Sequence, residues 1–140
     1  MPNDNMKTEC LSKYVTVGSR IYPCTTSLVM DLIGGKWKAS ILYHLKDGVL
    51  RYSELRRHMP VVTEMTLSLQ LKQLEKDGLL TRTVQGKKPP IRVEYRLTPF
   101  GESFVPLILQ LTELGNQIVL QQGGAFIDLE KQAEAPATGN

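Results

Sequence analysis

The chain has 140 residues, with 17 Lys+Arg against 14 Asp+Glu for a formal net charge of +3, and 41% of its residues are hydrophobic. That length suits one domain able to bury a core without metal or disulfide staples, and it leaves little room for two. The longest apolar runs are short and interrupted, so no membrane span is expected; residues 1–19 carry Asp4, Lys7, Glu9 and Lys13 and no apolar h-region, which argues against a signal peptide and makes the cytoplasm the expected setting.

Residues 1–20 are polar with scattered apolar positions and read as a flexible or partner-dependent N-terminal arm. From Thr25 the pattern turns helical: Leu28, Val29, Leu32 and Ile33 recur at helical spacing, and Gly34-Gly35 ends the segment. A second helix over Lys36–Lys46 puts Trp37, Ile41 and His44/Leu45 on one face and stops at Asp47-Gly48. A short strand is expected near Val49-Leu50. Tyr52–Met59 reads as a third helix, with Ser53 as candidate N-cap and Pro60 as terminator. Thr63 is a good N-cap for a fourth helix; Glu64 suits its first turn, and Leu67, Leu71 and Leu74 form its core-facing stripe. Asp77-Gly78 closes it.

There the period changes from helical to alternating. Leu80, Arg82 and Val84, then Val93, Tyr95 and Leu97, flank the turn Gly86-Lys87-Lys88-Pro89-Pro90, which predicts a hairpin with one apolar face and a basic outer face carrying Arg82, Arg92 and Arg96. Thr98-Pro99 restarts a helix with Thr as N-cap and Pro at its first position. Its stripe of Phe104, Leu107/Ile108, Leu111, Leu114 and Ile118 runs to about Gln122, and Pro106 predicts a kink or break nearby. Residues 124–140 read as a flexible tail.

A short helix, a turn containing Pro60, a longer helix and a basic hairpin make a winged helix-turn-helix. The fold class expected is therefore α+β, mostly helical, with N-terminal and C-terminal dimerisation elements added to the winged helix. Residues 21–98 form the DNA-binding domain in this reading and 99–123 the dimerisation helix. The helix over about Glu64–Lys76 would enter the major groove. Its candidate DNA-contacting residues are Thr63, Met65, Thr66, Leu69, Gln70, Lys72, Gln73 and Lys76. Thr66, Leu69, Gln70 and Gln73 are best placed for base edges: Gln bonds adenine bidentately, and Thr or Leu touches a thymine methyl. Lys72 and Lys76 suit phosphates. Lys87 and Lys88 at the hairpin tip suit phosphates or the adjacent minor groove. Residues 20–98 hold 14 Lys+Arg and 7 Asp+Glu, a surplus of 7, whereas the rest of the chain is acidic by 4. A solvated amphipathic helix would explain the fourth helix alone. The one-signed charge of the hairpin beside it favours a polyanion.

The run Cys24-Thr-Thr-Ser-Leu-Val-Met-Asp31-Leu32-Ile33-Gly34-Gly35-Lys36-Trp37 resembles the opening signature of the HxlR-type winged-helix regulators. The likeness continues through Arg51-Tyr52-Ser53-Glu54-Leu55-Arg56, through Leu71–Leu79, and through Pro90–Gly101, covering roughly residues 24–118. It implies a homodimeric bacterial transcription factor on double-stranded DNA, with its terminal helices at the subunit interface. The chain departs from the family pattern at Pro23-Cys24, at Thr63-Glu64 and at Leu69, which touches base reading rather than fold. A palindromic operator follows from two-fold symmetry.

Two cysteines, Cys10 and Cys24, are present, and a structural disulfide is not expected in the cytoplasm. Cys24 is open to three readings: a small buried hydrophobe, a reactive thiol or, weakest of the three, a metal ligand. Arg20 four residues upstream and a helix start at Thr25-Thr26 offer the electropositive setting of the second. The family resemblance implies redox sensing near the N-terminus at this motif position, with a small reactive effector as signal; Cys10, in the N-terminal arm, is the candidate partner thiol within or between subunits. His44 and His58 show no ligand spacing, so no metal is expected, and no cofactor is called for. Gly34-Gly35-Lys36 lacks the first glycine and preceding strand of a phosphate loop, and no nucleophile or zinc-helix motif occurs, so an enzyme is not expected. The competing class is a winged helix that binds protein through the long C-terminal helix.

Overall fold

The computed structural model of the chain describes residues 14–129. They fall into two compact units, one ending at Gly35 and the other beginning at Lys36. The division falls at the end of the Gly34-Gly35 turn.

In the first unit, β1 (Val15–Val17) and β2 (Arg20–Tyr22) form a small antiparallel hairpin with Val15 opposite Tyr22. Sequence periodicity contains no strands here, because both are three residues long and largely exposed, so neither imprints an apolar alternation. Helix α1 (Thr25–Ile33) follows and ends at Gly34 as expected. Asp31 on α1 ties the hairpin to the helix: the Arg20 guanidinium donates to its carboxylate at 2.9 Å and the Tyr22 hydroxyl donates to the same oxygen at 2.8 Å.

The second unit begins with α2 (Lys38–Leu45), which buries Ile41, Leu42 and Leu45. Trp37 and His44, expected on the core face, are only half-buried. His44 instead stacks on His58, ring centroids 5.1 Å apart and 13° from parallel. The two-residue strand β3 (Leu50–Arg51) leads directly into α3 (Tyr52–His58). Ser53 is not the cap of α3. Arg51 occupies that position, and its backbone N–H donates to the Glu54 carboxylate at 3.2 Å, so an acidic N3 side chain supplies the acceptor instead.

Helix α4 (Glu64–Lys76) starts as its sequence predicts, with the Thr63 hydroxyl accepting from the Thr66 N–H at 3.1 Å. Leu67, Leu71 and Leu74 are all buried. Its exit is a Schellman turn: Leu79 N–H donates to Leu74 C=O at 2.9 Å, Gly78 N–H donates to Glu75 C=O at 3.0 Å, and Gly78 takes the left-handed conformation at φ +80°. The wing is β4 (Leu80–Gln85) paired antiparallel with β5 (Arg92–Leu97), and β3 completes a sheet of order β3-β5-β4.

The C-terminal helical stretch breaks into α5 (Pro99–Glu102) and α6 (Val105–Gln121), with Pro106 in the first turn of α6, where its missing N–H costs nothing. Thr98 caps α5 by accepting from Gly101 N–H at 3.0 Å. Gly101 lies so close to the preceding turn that a Cβ there would stand 1.9 Å from the Leu79 carbonyl oxygen. The core is built by Ile41, Leu42, Leu45, Leu55, Leu67, Leu71, Leu74, Leu79 and Leu80, each under 2% exposed or nearly so, with Phe104 and Ile108 added from the C-terminal stretch.

By length and composition alone, Pro99–Gln121 is long and apolar enough to cross a membrane, although the stretch is broken between α5 and α6.

Candidate nucleic-acid interface

Helices α3 and α4 are held by side chains of α3. The Arg56 guanidinium donates to the Val62 carbonyl and so fixes the turn between them. The Tyr52 hydroxyl lies 3.4 Å from both the Glu64 carbonyl and the Ser68 hydroxyl, bracing the first residue of α3 against the first two turns of α4. Both are polar anchors around an apolar seam, and helical periodicity carries no signal for either.

With its leucine stripe turned inward, α4 presents Met65, Leu69, Lys72, Gln73 and Lys76 on its exposed side, Met65 at 83% and Leu69 at 51%. Thr66 and Gln70 flank that face and are half-buried. Thr63 is occupied locally: its hydroxyl accepts from the Thr66 backbone and donates to the Thr66 hydroxyl at 2.9 Å. Lys87 and Lys88 are exposed in the turn between β4 and β5.

The strand register divides the wing arginines. Leu80, Arg82 and Val84 stand opposite Leu97, Tyr95 and Val93, whereas Arg96 and Arg92 stand opposite Thr81 and Gln85. Side chains alternate across a strand, so Arg82 shares the face of Tyr95 and does not lie on the outer face with Arg92 and Arg96. Its position in the apolar period was the signal for this. The outer face is also less uniformly basic than expected, because Glu94 lies between the two arginines and accepts from the Gln85 amide at 3.4 Å. Burial pushes the Tyr95 phenol above its ordinary pKa, and the nearby Arg82 guanidinium pulls the other way.

In the first unit, Cys24 is half-buried at the N-cap of α1, its Sγ 3.5 Å from the Ser27 hydroxyl. The Arg20 guanidinium, a candidate neighbour of this thiol, is engaged by Asp31. Cys10 lies outside the described residues. Among the described residues no group of three or more His, Cys, Asp or Glu could hold a metal ion.

On α6 the apolar stripe is mostly uncovered. Ile108 is buried, but Leu107, Leu111, Leu114 and Ile118 are 36–54% exposed and Leu120 is 72% exposed.

Comparison with known proteins places these features among regulators. The model described as HxlR-like helix-turn-helix matches residues 32–122. The HTH-type transcriptional regulator YybR of Bacillus subtilis (strain 168), itself described as uncharacterized, is 45% identical over 107 residues, 72% of this chain and 85% of that protein. Among solved structures, the redox regulator HypR in its reduced form superposes with a TM-score of 0.65 at 43% identity, over 70% of this chain and 98% of that one. Its oxidized form superposes with a TM-score of 0.63 at 44% identity, over 67% of this chain and 96% of that one.

Proposed function

The chain belongs to the HxlR-like helix-turn-helix family, and from that premise we propose that it is a transcriptional regulator that binds double-stranded DNA sequence-specifically as a homodimer on a palindromic operator. The observation that carries this reading is the exposed face of α4 beside the wing. A helix whose Leu67, Leu71 and Leu74 are absorbed by the core leaves Leu69, Lys72, Gln73 and Lys76 projecting next to a hairpin tipped by Lys87 and Lys88. Leu69 and Gln73 read base edges, with Thr66 and Gln70 from the flank and Met65 near the helix start; Lys72, Lys76 and the wing lysines hold phosphates. Thr63 contributes by fixing the helix start.

Residues 21–98 carry DNA recognition and 99–123 the subunit interface in this reading. Support for the interface comes from α6, whose exposed leucines at 107, 111 and 114 and Ile118 form a stripe that one chain leaves open to water. The similarity to the redox regulator HypR supports a further role for Cys24 as a thiol switch answering a small reactive effector in the cytoplasm. Cys24 at a helix N-cap suits it, since a conformational change there is coupled to the start of α1.

The test is to map the sites this protein binds on genomic DNA, with and without oxidant. A palindromic consensus and an affinity that falls steeply with salt are the expected results. Binding that ignores salt and sequence would point to a protein-interaction module instead. For the switch, a Cys24→Ser variant should keep DNA binding and lose its response to oxidant; a response that persists unchanged removes Cys24 from that role.

A further inference from the structure

The wing is anchored at one end only. Leu80 and Leu97 at its root are buried, whereas every residue of β4 after Leu80 is exposed, and so is the turn that carries Lys87 and Lys88. A two-stranded hairpin is only marginally stable by itself, so the direction of its tip is set where it last touches the rest of the fold. That place is the cross-strand pair Arg82–Tyr95. Tyr95 is buried, and together with Arg82 it lines a cleft shared with Tyr52 of α3 and Ser68 of α4. The Tyr95 hydroxyl is where these elements meet. Burial raises its pKa, the Arg82 guanidinium that donates to it lowers it, and the Glu75 carboxylate of α4 and the Tyr52 phenol raise it again. Tyr52 in turn lies 3.4 Å from the Ser68 hydroxyl and from the Glu64 carbonyl. Polar groups therefore run from β4 through Tyr95 and Tyr52 to α4.

We propose that Arg82 is a positioning residue and not a phosphate ligand: by holding the Tyr95 hydroxyl it fixes the tilt of the wing relative to α4, so that Lys87 and Lys88 meet the duplex together with the exposed face of that helix. This role rests on the DNA-binding reading above. The apolar contacts of Leu80 and Leu97 hold the root but have no preferred direction. A hydrogen bond from a planar guanidinium to a buried phenol does have one. Its leverage is large. From Arg82 to Lys87 the strand advances about 17 Å, so a tilt of about 10° at the root moves the lysines by about 3 Å, the length of a hydrogen bond. The same role accounts for an arginine in the apolar period of β4, between Leu80 and Val84 on one face.

The experiment measures affinity against salt for a duplex selected by the intact protein, with urea unfolding of each variant alongside. Lys87→Ala combined with Lys88→Ala removes two phosphate contacts and should lower the slope of log affinity on log salt by about 2. Tyr95→Phe changes no charge and keeps the ring in the core. It should nevertheless weaken binding about tenfold and lower the slope toward that of the lysine variant, because the wing lysines no longer reach their phosphates. Arg82→Gln should do the same, and adding the lysine changes to either variant should cost little more. Arg82→Lys keeps a donor and should recover part of the affinity. Arg82→Gln alters an exposed side chain, so it keeps the test open if Tyr95→Phe lowers stability. A different pattern belongs to an arginine that touches phosphate itself: Arg82→Gln would lower the slope by about 1 on top of the loss from the lysines, and Tyr95→Phe would leave the slope unchanged. That pattern overturns the positioning role. So does a loss of unfolding stability in both variants with affinity and slope intact, which makes the pair merely structural. Lysine changes that are silent in the intact protein overturn it as well, since no wing contact is then left to position. In each of these cases the DNA-binding reading stands. If the intact protein binds no duplex, both fall.

Discussion

Helices α4 and α6 are the two longest in the described chain, and they handle their apolar residues in opposite ways. In α4 the leucines that point at the core are buried completely, and the rest of the helix is largely polar. In α6 the apolar residues outnumber what the chain can cover; Ile108 is buried while Leu107, Leu109, Leu111, Leu114, Ile118 and Leu120 face outward. The first helix is complete within one chain, so its free face is available for a polar, charged target. The second is complete only against something apolar. An exposed apolar stripe of this size is what a contact surface offers, as the homodimer proposed above requires.

That contrast can be broken by substitution, and the largest effect belongs to α4. Leu71→Ala should destabilise the fold by about 2–5 kcal/mol, because it opens a cavity at a fully packed site; urea unfolding measures it. A loss well under 1 kcal/mol would mean that α4 is less closed than its burial indicates. Next comes the seam between the two helices. Gly101→Ala forces a Cβ onto the Leu79 carbonyl oxygen and should cost about 1–3 kcal/mol by the same measurement. On α6, Leu114→Ala combined with Ile118→Ala should leave the core nearly untouched and shift the monomer–dimer equilibrium at least about tenfold toward monomer, read by sedimentation, as expected for apolar anchors at an interface. Equal loss of unfolding stability and of self-association would make α6 an ordinary core helix. The smallest effect is at the start of α4, where Thr63→Ala should cost about 1 kcal/mol through the lost cap and weaken DNA binding only through fraying of that turn.

The elements legible in the sequence are those whose local chemistry and burial agree. Thr63 before a leucine stripe, Asp77-Gly78 after it, alternating residues on either side of a Gly-Lys-Lys-Pro-Pro turn, and Thr98-Pro99 each give one physical answer. What escaped reading depends on groups distant in sequence. Strands β1 and β2 stabilise each other through backbone pairing and through Asp31, which lies 9 and 11 residues from its two donors. Arg56 and Tyr52 are hydrogen-bonding anchors whose partners are backbone and hydroxyl groups that no spacing rule marks. Arg82 was legible in principle: it shares the period of Leu80 and Val84, and only its charge suggested the outer face. The candidate site followed the same division. The exposed side of α4 could be read from its stripe, whereas the face on which Arg82 lies is fixed by its pairing with Tyr95 on the neighbouring strand.

The Thr98 hydroxyl makes two bonds at once, donating to the Gly78 carbonyl at 2.6 Å and accepting from the Gly101 N–H at 3.0 Å. Its first partner closes α4 and its second opens α5. One oxygen atom is therefore a rivet between the exit of the helix proposed to read bases and the entrance of the stretch proposed to join subunits, with Gly101 pressed against Leu79 beside it. There is no slack at this joint. A twist imposed on α5 must either pull the end of α4 with it or break the rivet, so a change in how two chains dock has a short mechanical route to the spacing of their reading heads.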